Sequence, residues 1–266
     1  MRTSLLLAAI LGTFAAPAAL MAEEAAPAAE PTSPHTVTYN IGLTSNYIFR
    51  GTSQSGDRPA VQGGVDYSHS SGFYLGTWAS SISWLGDTGA DGAGGDRAYN
   101  SSSMELDLYG GYTAEIGETG ITYDVGVLQY IYPGRRNSVS GSYNADTTEI
   151  YGGLAYKWVS AKYSWSPSKS AFGFEGRGAS YVDLTAEIPF GDSGYSAIAH
   201  VGRQEFGNGP SHFDYTDWKL GLSKAWDNGV VVGGYYTDTD ADRSAFTYGP
   251  VFSGKENWTV FVQKTF

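Results

Sequence analysis

Apolar and polar residues alternate with a period of two over most of the chain from His35 onward, the signature of strands whose two faces meet different surroundings. In residues 258–266, Trp258, Val260, Val262 and Phe266 share one face, and Thr259, Gln263 and Thr265 share the other. Twelve such segments can be placed, each about the ten residues of a tilted strand that crosses a bilayer. In the first, Val37, Tyr39, Ile41, Leu43, Tyr47 and Phe49 oppose Thr38, Asn40, Thr44, Asn46 and Arg50, which predicts a strand running through Arg50. The second, 60–69, sets Val61, Val65 and Tyr67 against Gln62, Asp66 and Ser68. The third, 73–85, is apolar on both faces and its register stays open. Further segments set Leu106 and Leu108 against Glu105, Asp107 and Tyr109, and Val125 and Val127 against Asp124 and Tyr130. Ile150 and Leu154 oppose Glu149 and Tyr151, and Ala161 and Tyr163 oppose Lys162. Val182, Leu184 and Ile188 oppose Asp183 and Glu187, and Leu220 and Leu222 oppose Asp217 and Lys219. Segments at 195–204 and 230–238 complete the set.

The connections alternate strictly in length. Long polar stretches lie at 51–59, 86–102, 133–146, 167–179, 205–214 and 239–255, and tight links lie at 70–72, 115–120, around Trp158, at 189–194 and at Asp227-Asn228-Gly229. Alternating long loops and short turns, with an even strand count, predict an all-β, transmembrane, antiparallel up-and-down β-barrel with both termini in the periplasm of a Gram-negative cell. Trp84, Trp165, Trp218 and Trp258 then fall at external strand ends and Trp158 and Trp226 at periplasmic ends, where aromatic girdles sit. Trp78 is mid-strand. Lys224 and Lys264 are placed to reach the periplasmic interface with their long side chains. A secreted β-sandwich would produce neither the loop rule nor the terminal Phe266.

Residues 1–22 read as a secretory signal, cut after Ala22 with Ala18 as the alternative, and Arg2 stands ahead of an apolar run too short to span a bilayer as a helix. Residues 23–34, rich in Ala, Pro and Glu, read as a flexible lead-in, and 35–266 as the barrel. The formal charge of -11 argues against a nucleic-acid-binding role. With no cysteine, stability must come from a large hydrogen-bonded sheet or a sizeable core, and 36 glycines and 15% aromatic residues favour sheet over helix.

The stretch Leu43-Thr44-Ser45-Asn46-Tyr47-Ile48-Phe49-Arg50-Gly51-Thr52-Ser53-Gln54-Ser55, followed by residues 59–67 and 71–80, resembles the TorF family of porins. Weaker echoes occur at 106–112, at 130–134 and at the end of the chain. The resemblance implies a porin-type outer-membrane barrel and brings no active-site residues with it.

Candidate chemistry adds little. Gly191-Asp192-Ser193-Gly194 imitates a serine-protease motif, but a nucleophilic serine needs a histidine base held by a third group. None of His35, His69, His200 and His212 has suitable flanks, and the four residues read as a turn. His200, the nearest partner for a lipase-type serine, falls on the inward face. The acidic glycine-rich stretch 89–96 lacks calcium-loop spacing and a closing bidentate Glu. Asp238, Asp240 and Asp242 read as a solvated acidic loop. No catalytic residue, cofactor or metal is assigned.

The reading that remains is a passive channel, narrow because twelve strands lie between barrels filled by side chains and wide porins. Its lining is assigned to Arg50, Asp66, Glu105, Asp107, Asp124, Glu149, Lys162, Asp183, Glu187, Asp217 and Lys219, a net of five negative charges that favours cations. The rival is a structural or surface-binding barrel plugged by Tyr109, Tyr130 and Tyr151. Expected partners are outer-membrane lipid and lipopolysaccharide, small solutes or ions, and the barrel-assembly machinery, engaged by the strand that ends at Phe266.

Overall fold

A computed structural model describes residues 33–87, 102–135 and 143–266. The signal and almost all of the lead-in, and the acidic stretch 89–96, lie outside the described residues. Long strands are β1 (His35–Thr44), β2 (Ala60–His69), β3 (Phe73–Ser81), β4 (Met104–Glu115), β5 (Ile121–Ile131) and β6 (Thr147–Tyr156). The second half has β7 (Val159–Trp165), β8 (Ser180–Pro189), β9 (Tyr195–Glu205), β10 (Tyr215–Ala225), β11 (Val230–Thr239) and β12 (Asn257–Thr265). Each pairs antiparallel with its sequence neighbours, and β1 also pairs with β12, so the sheet is a closed barrel of twelve strands with no free edge. At the seam Asn40 faces Thr265 and Thr44 faces Phe261. Tyr39 and Phe266 extend it by exchanging backbone hydrogen bonds of 3.3 and 2.9 Å.

Alternation decides the faces. Val37, Ile41, Leu43, Leu75, Leu108, Val127, Leu154, Leu184, Leu220, Leu222 and Val260 stand exposed on the outside. The polar partners in each strand point inward. Trp165, Trp218 and Trp258 sit at the long-loop end of the outer face, Trp258 at 77% exposure, and Trp158 and Trp226 sit at the short-turn end. The hairpin link Asp227-Asn228-Gly229 closes with Gly229 at φ 80° and the Asn228 Oδ1 accepting the Val230 N–H at 3.1 Å. Residues Gly191–Ser193 form a single 3₁₀ turn ending in Gly194 at φ 73°.

Three expectations are corrected. First, β1 stops at Thr44, and Tyr47 and Phe49 are buried rather than turned to the outside. Thr44 Oγ1 donates to the Asn46 carbonyl at 2.8 Å and bends the chain inward. Second, β3 ends at Ser81 and the chain continues into a helical turn, Trp84–Asp87. Third, Trp84 is therefore no girdle residue: at 6% exposure it packs edge-on against Tyr132, and also against Tyr248, under the loops. Trp78, mid-strand, points inward against Tyr47.

Candidate functional site

The wall is arranged so that large rings lie along it. Tyr109 pairs across strands with Gly76, Tyr74 with Gly111, Tyr151 with Gly126 and Phe261 with Gly233. A methyl group on any of these glycines would collide with its partner's ring, so each ring lies over a bare backbone position. Tyr181 lies over Gly202 in the same way. Two of the three tyrosines suspected of filling the lumen, Tyr109 and Tyr151, thus lean along the wall. Twelve strands spaced about 4.8 Å apart and tilted by about 40° give a backbone-to-backbone width of about 24 Å. With about 6 Å of side chain on each wall, a gap of about 12 Å remains, close to the ~10 Å thickness of one two-stranded ribbon with its side chains.

A two-stranded ribbon is what occupies it. Between β1 and β2 the chain turns into the barrel, and Ile48–Phe49 pairs with Thr52–Ser53 around a tip at Arg50 (φ 46°) and Gly51 (φ 75°). Residues 46–55 are all buried. A backbone taken into the lumen must satisfy its own polar groups, and the Asn, Ser, Thr and Gln residues of the motif do this. Asn46 Oδ1 accepts from Ser53 Oγ (2.7 Å) and Ser55 Oγ (3.0 Å), Ser55 Oγ accepts the Tyr47 N–H (2.9 Å), and Gln54 N–H donates to the Tyr47 carbonyl (2.7 Å). The hairpin thus makes up most of the stretch 43–55, with Leu43 and Thr44 still in β1.

The hairpin reaches from β1 to the opposite wall. Arg50 Nη2 donates to Glu149 Oε2 on β6 at 2.8 Å, and Nη1 donates to Gln204 Oε1 on β9 at 2.8 Å. Its guanidinium carbon lies 4.3 Å from the Tyr181 ring centroid, 4.8 Å from Phe49 and 5.4 Å from Phe172. The pair is closed to solvent, with side-chain exposures of 1% for Arg50 and 2% for Glu149. Gly51 abuts Asp217 on β10 and Thr239 on β11 so closely that no side chain fits. Tyr47 donates to Glu105 Oε1 at 2.7 Å, Phe49 packs edge-on against Tyr130 and Phe172, and Ile48 joins Val231, Tyr235 and Phe261. Beside it a cavity of ≈ 20 Å³, room for a water molecule, is lined by Asn46, Tyr47, Gln62, Trp78 and Tyr235 among others.

All eleven residues assigned to the lining fall inside the barrel, but they do not form one ring. Glu105, Asp107, Glu149 and Asp217 are buried around the hairpin with Arg50, which arrives on the loop and not on a wall strand. Asp107 Oδ1 has no hydrogen-bond partner among the described residues. The others are part-exposed. Tyr109 donates to Asp66, and Tyr74 bonds both Asp124 (2.6 Å) and Tyr151 (2.5 Å). Lys162 lies 3.8 Å over Tyr151 and Lys219 lies 5.1 Å from Tyr235. Glu187 lies in the field of Lys219. Sequence reasoning assigned no lining role to His200, which sits between Asp183 (3.1 Å) and Asp217 (2.9 Å), with Tyr181 also on Asp217 at 2.9 Å. Its inward parity, shared with Gln204, was the available signal.

Over the long-loop end the connections fold together. Phe174 packs edge-on or tilted against Phe206, Phe213 and Phe246, and Tyr215 packs edge-on against Phe246. Ion pairs Arg58–Asp87 (2.5 Å) and Lys255–Asp57 (2.6 Å) tie the base of the hairpin to neighbouring loops. Asp238, Asp240 and Asp242 accept backbone N–H groups of Thr239, Thr216 and Ser244 and so act as loop caps.

The family described as "Bacterial protein of unknown function (Gcw_chp)" matches residues 28–266. That family is what the comparison supports, and the resemblance to the TorF porins is not confirmed by it. No curated protein matches. Among solved structures, a KdgM porin aligns at 11% identity over 86% of this chain and 98% of that chain, with a TM-score of 0.50. The COG4313 outer membrane channel from Pseudomonas putida F1 aligns at 13% identity over 91% of this chain and 99% of that chain, with a TM-score of 0.48.

Proposed function

The chain belongs to the Gcw_chp family of bacterial proteins of unknown function, and we propose that it is an outer-membrane channel for small hydrophilic solutes or ions, closed in the conformation described by its own first long loop. The observation that carries this is the division of labour in the lumen. Wall rings such as Tyr109 and Tyr151 are laid onto glycines, whereas the gap is filled by a hairpin that arrives on a loop. A barrel meant only as a filled structural element has no need of glycine seats. The apolar outer face with tryptophans at both ends suits a bilayer. In this reading the termini lie in the periplasm, the hairpin enters from the external side, and lipopolysaccharide faces the long loops.

Displacing the hairpin removes Arg50 from the lumen and leaves Glu105, Asp107, Glu149 and Asp217 with less cationic compensation, so the open state prefers cations. A second reading, a closed barrel that works through its loop surface, draws on the aromatic packing over the long-loop end. Fractionation and flux separate them. The channel reading expects the protein in the outer membrane, and expects liposomes containing the refolded barrel to admit small cations once the hairpin is freed. Recovery from the soluble periplasm, or liposomes that stay sealed with the hairpin freed, would overturn it.

A further inference from the structure

Arg50 is held by wall groups that are in place without it. Gln204 Nε2 donates to the Ser180 and Glu205 carbonyls (3.1 and 3.2 Å), which fixes its Oε1 toward the lumen. Glu149 Oε2 also lies 3.4 Å from the Tyr130 hydroxyl. Tyr181 is seated over Gly202 and bonded to Asp217, so its ring is fixed too. The wall thus presents a carboxylate, an amide oxygen and an aromatic face, with Phe172 contributed by the loop between β7 and β8. This is the donor-accepting and stacking set that a planar guanidinium uses and that a compact ammonium uses less well. The same level carries further negative charge: Asp107 is buried, has an oxygen with no partner among the described residues, and lies in the field of Glu105 and Glu149.

We propose that the Glu149, Gln204, Tyr181 and Phe172 pocket is a binding site for solutes bearing a guanidinium group, and that Arg50 is a tethered occupant that a permeant cation replaces when the hairpin withdraws. This deepens the channel reading and rests on it for the words "permeant" and "withdraws"; the pocket itself does not depend on conduction. The chemistry asks for a flat, singly charged head that can donate to Glu149 and Gln204 at once while stacking on Tyr181.

The test uses the full refolded barrel with Arg50→Ala, which empties the pocket and leaves its walls. Methylguanidinium chloride is titrated in by calorimetry at constant ionic strength, with methylammonium chloride as the comparison. Saturable methylguanidinium binding is expected, at least tenfold tighter than methylammonium, absent in the unmodified protein, and weakened at least tenfold by adding Glu149→Gln. If Arg50→Ala does not refold, Arg50→Ser serves in its place. A folded variant that binds no methylguanidinium, or binds both cations equally, or is indifferent to Glu149→Gln, overturns the proposal. Current recordings on the same sample separate the two claims. Binding in Arg50→Ala with no conduction even when the hairpin is excised keeps the site and removes the channel, whereas conduction without calorimetric binding keeps the channel and removes the site.

Discussion

On the proposed channel reading, the substitution Glu149→Gln isolates what holds the lumen shut. It keeps the side chain's size, so it opens no cavity, but it leaves the Arg50 charge buried at 1% exposure with only neutral hydrogen-bond partners. Removing one member of a buried, hydrogen-bonded ion pair costs about 3–5 kcal/mol. The barrel strands keep their pairing, because Glu149 contributes to the ladder through backbone opposite Leu128. The cost therefore falls on the equilibrium between seated and withdrawn hairpin, which shifts by roughly a hundredfold to several thousandfold at about 1.4 kcal/mol per factor of ten. The assay is open probability in planar bilayers at fixed voltage. A large rise is expected in Glu149→Gln, and a smaller one when Arg50→Ala is added, since the double variant leaves no unpaired buried cation. Because the pair is shielded from solvent, raising salt from 0.1 to 1 M should not mimic the substitution, although that change shortens screening from ~10 to ~3 Å. Asp238→Asn, the same charge change near the loop end of β11, serves as the control. A correctly folded Glu149→Gln barrel that opens no more often than the unmodified one would falsify the latch.

Gly51→Val should unseat the hairpin by a different route, since any Cβ there meets Asp217 and Thr239 and the φ of 75° disfavours a branched residue; conductance should rise while the yield of folded barrel is unchanged. Open variants should show cation preference in reversal potentials across a KCl gradient, and the preference should fade toward 1 M salt; anion preference would refute the assignment of the lining. Deleting Phe266, whose ring is 68% exposed on the outer face and whose backbone bonds extend the seam to Tyr39, should reduce assembled barrel at equal synthesis, as read by heat-modifiable migration in gels; equal assembly would count against it.

The strands were legible because a barrel wall has two solvents, and alternation records them residue by residue. The same rule misled at Tyr47 and Phe49. A hairpin folded into a lumen also alternates, and period-two parity cannot tell a ring packed against Tyr130 from one facing outward. The available sign was composition: Asn46, Ser53, Gln54 and Ser55 are the residues a buried ribbon needs to satisfy its backbone, and Arg50-Gly51 is a turn that a membrane strand has no use for. Trp84 was misplaced for a related reason, since apolar residues on both faces of 73–85 marked burial under loops and not a longer strand. The glycine seats were invisible in the sequence, because Gly76 meets Tyr109, and Gly126 meets Tyr151, only through cross-strand register. The clamp of His200 between Asp183 and Asp217 likewise depends on the pairing of β8, β9 and β10.

If a loop, and not the wall, closes this barrel, excising that loop opens it. Thr44 and Ala60 are cross-strand partners, so replacing residues 45–59 with a short Gly/Ser turn joins β1 to β2 without disturbing their register. Unmodified and excised barrels, refolded side by side and recorded singly in planar bilayers, give the answer. Long closures are expected in the first and a persistently open, cation-preferring conductance in the second; an excised barrel that folds and stays silent would rule out closure by the loop.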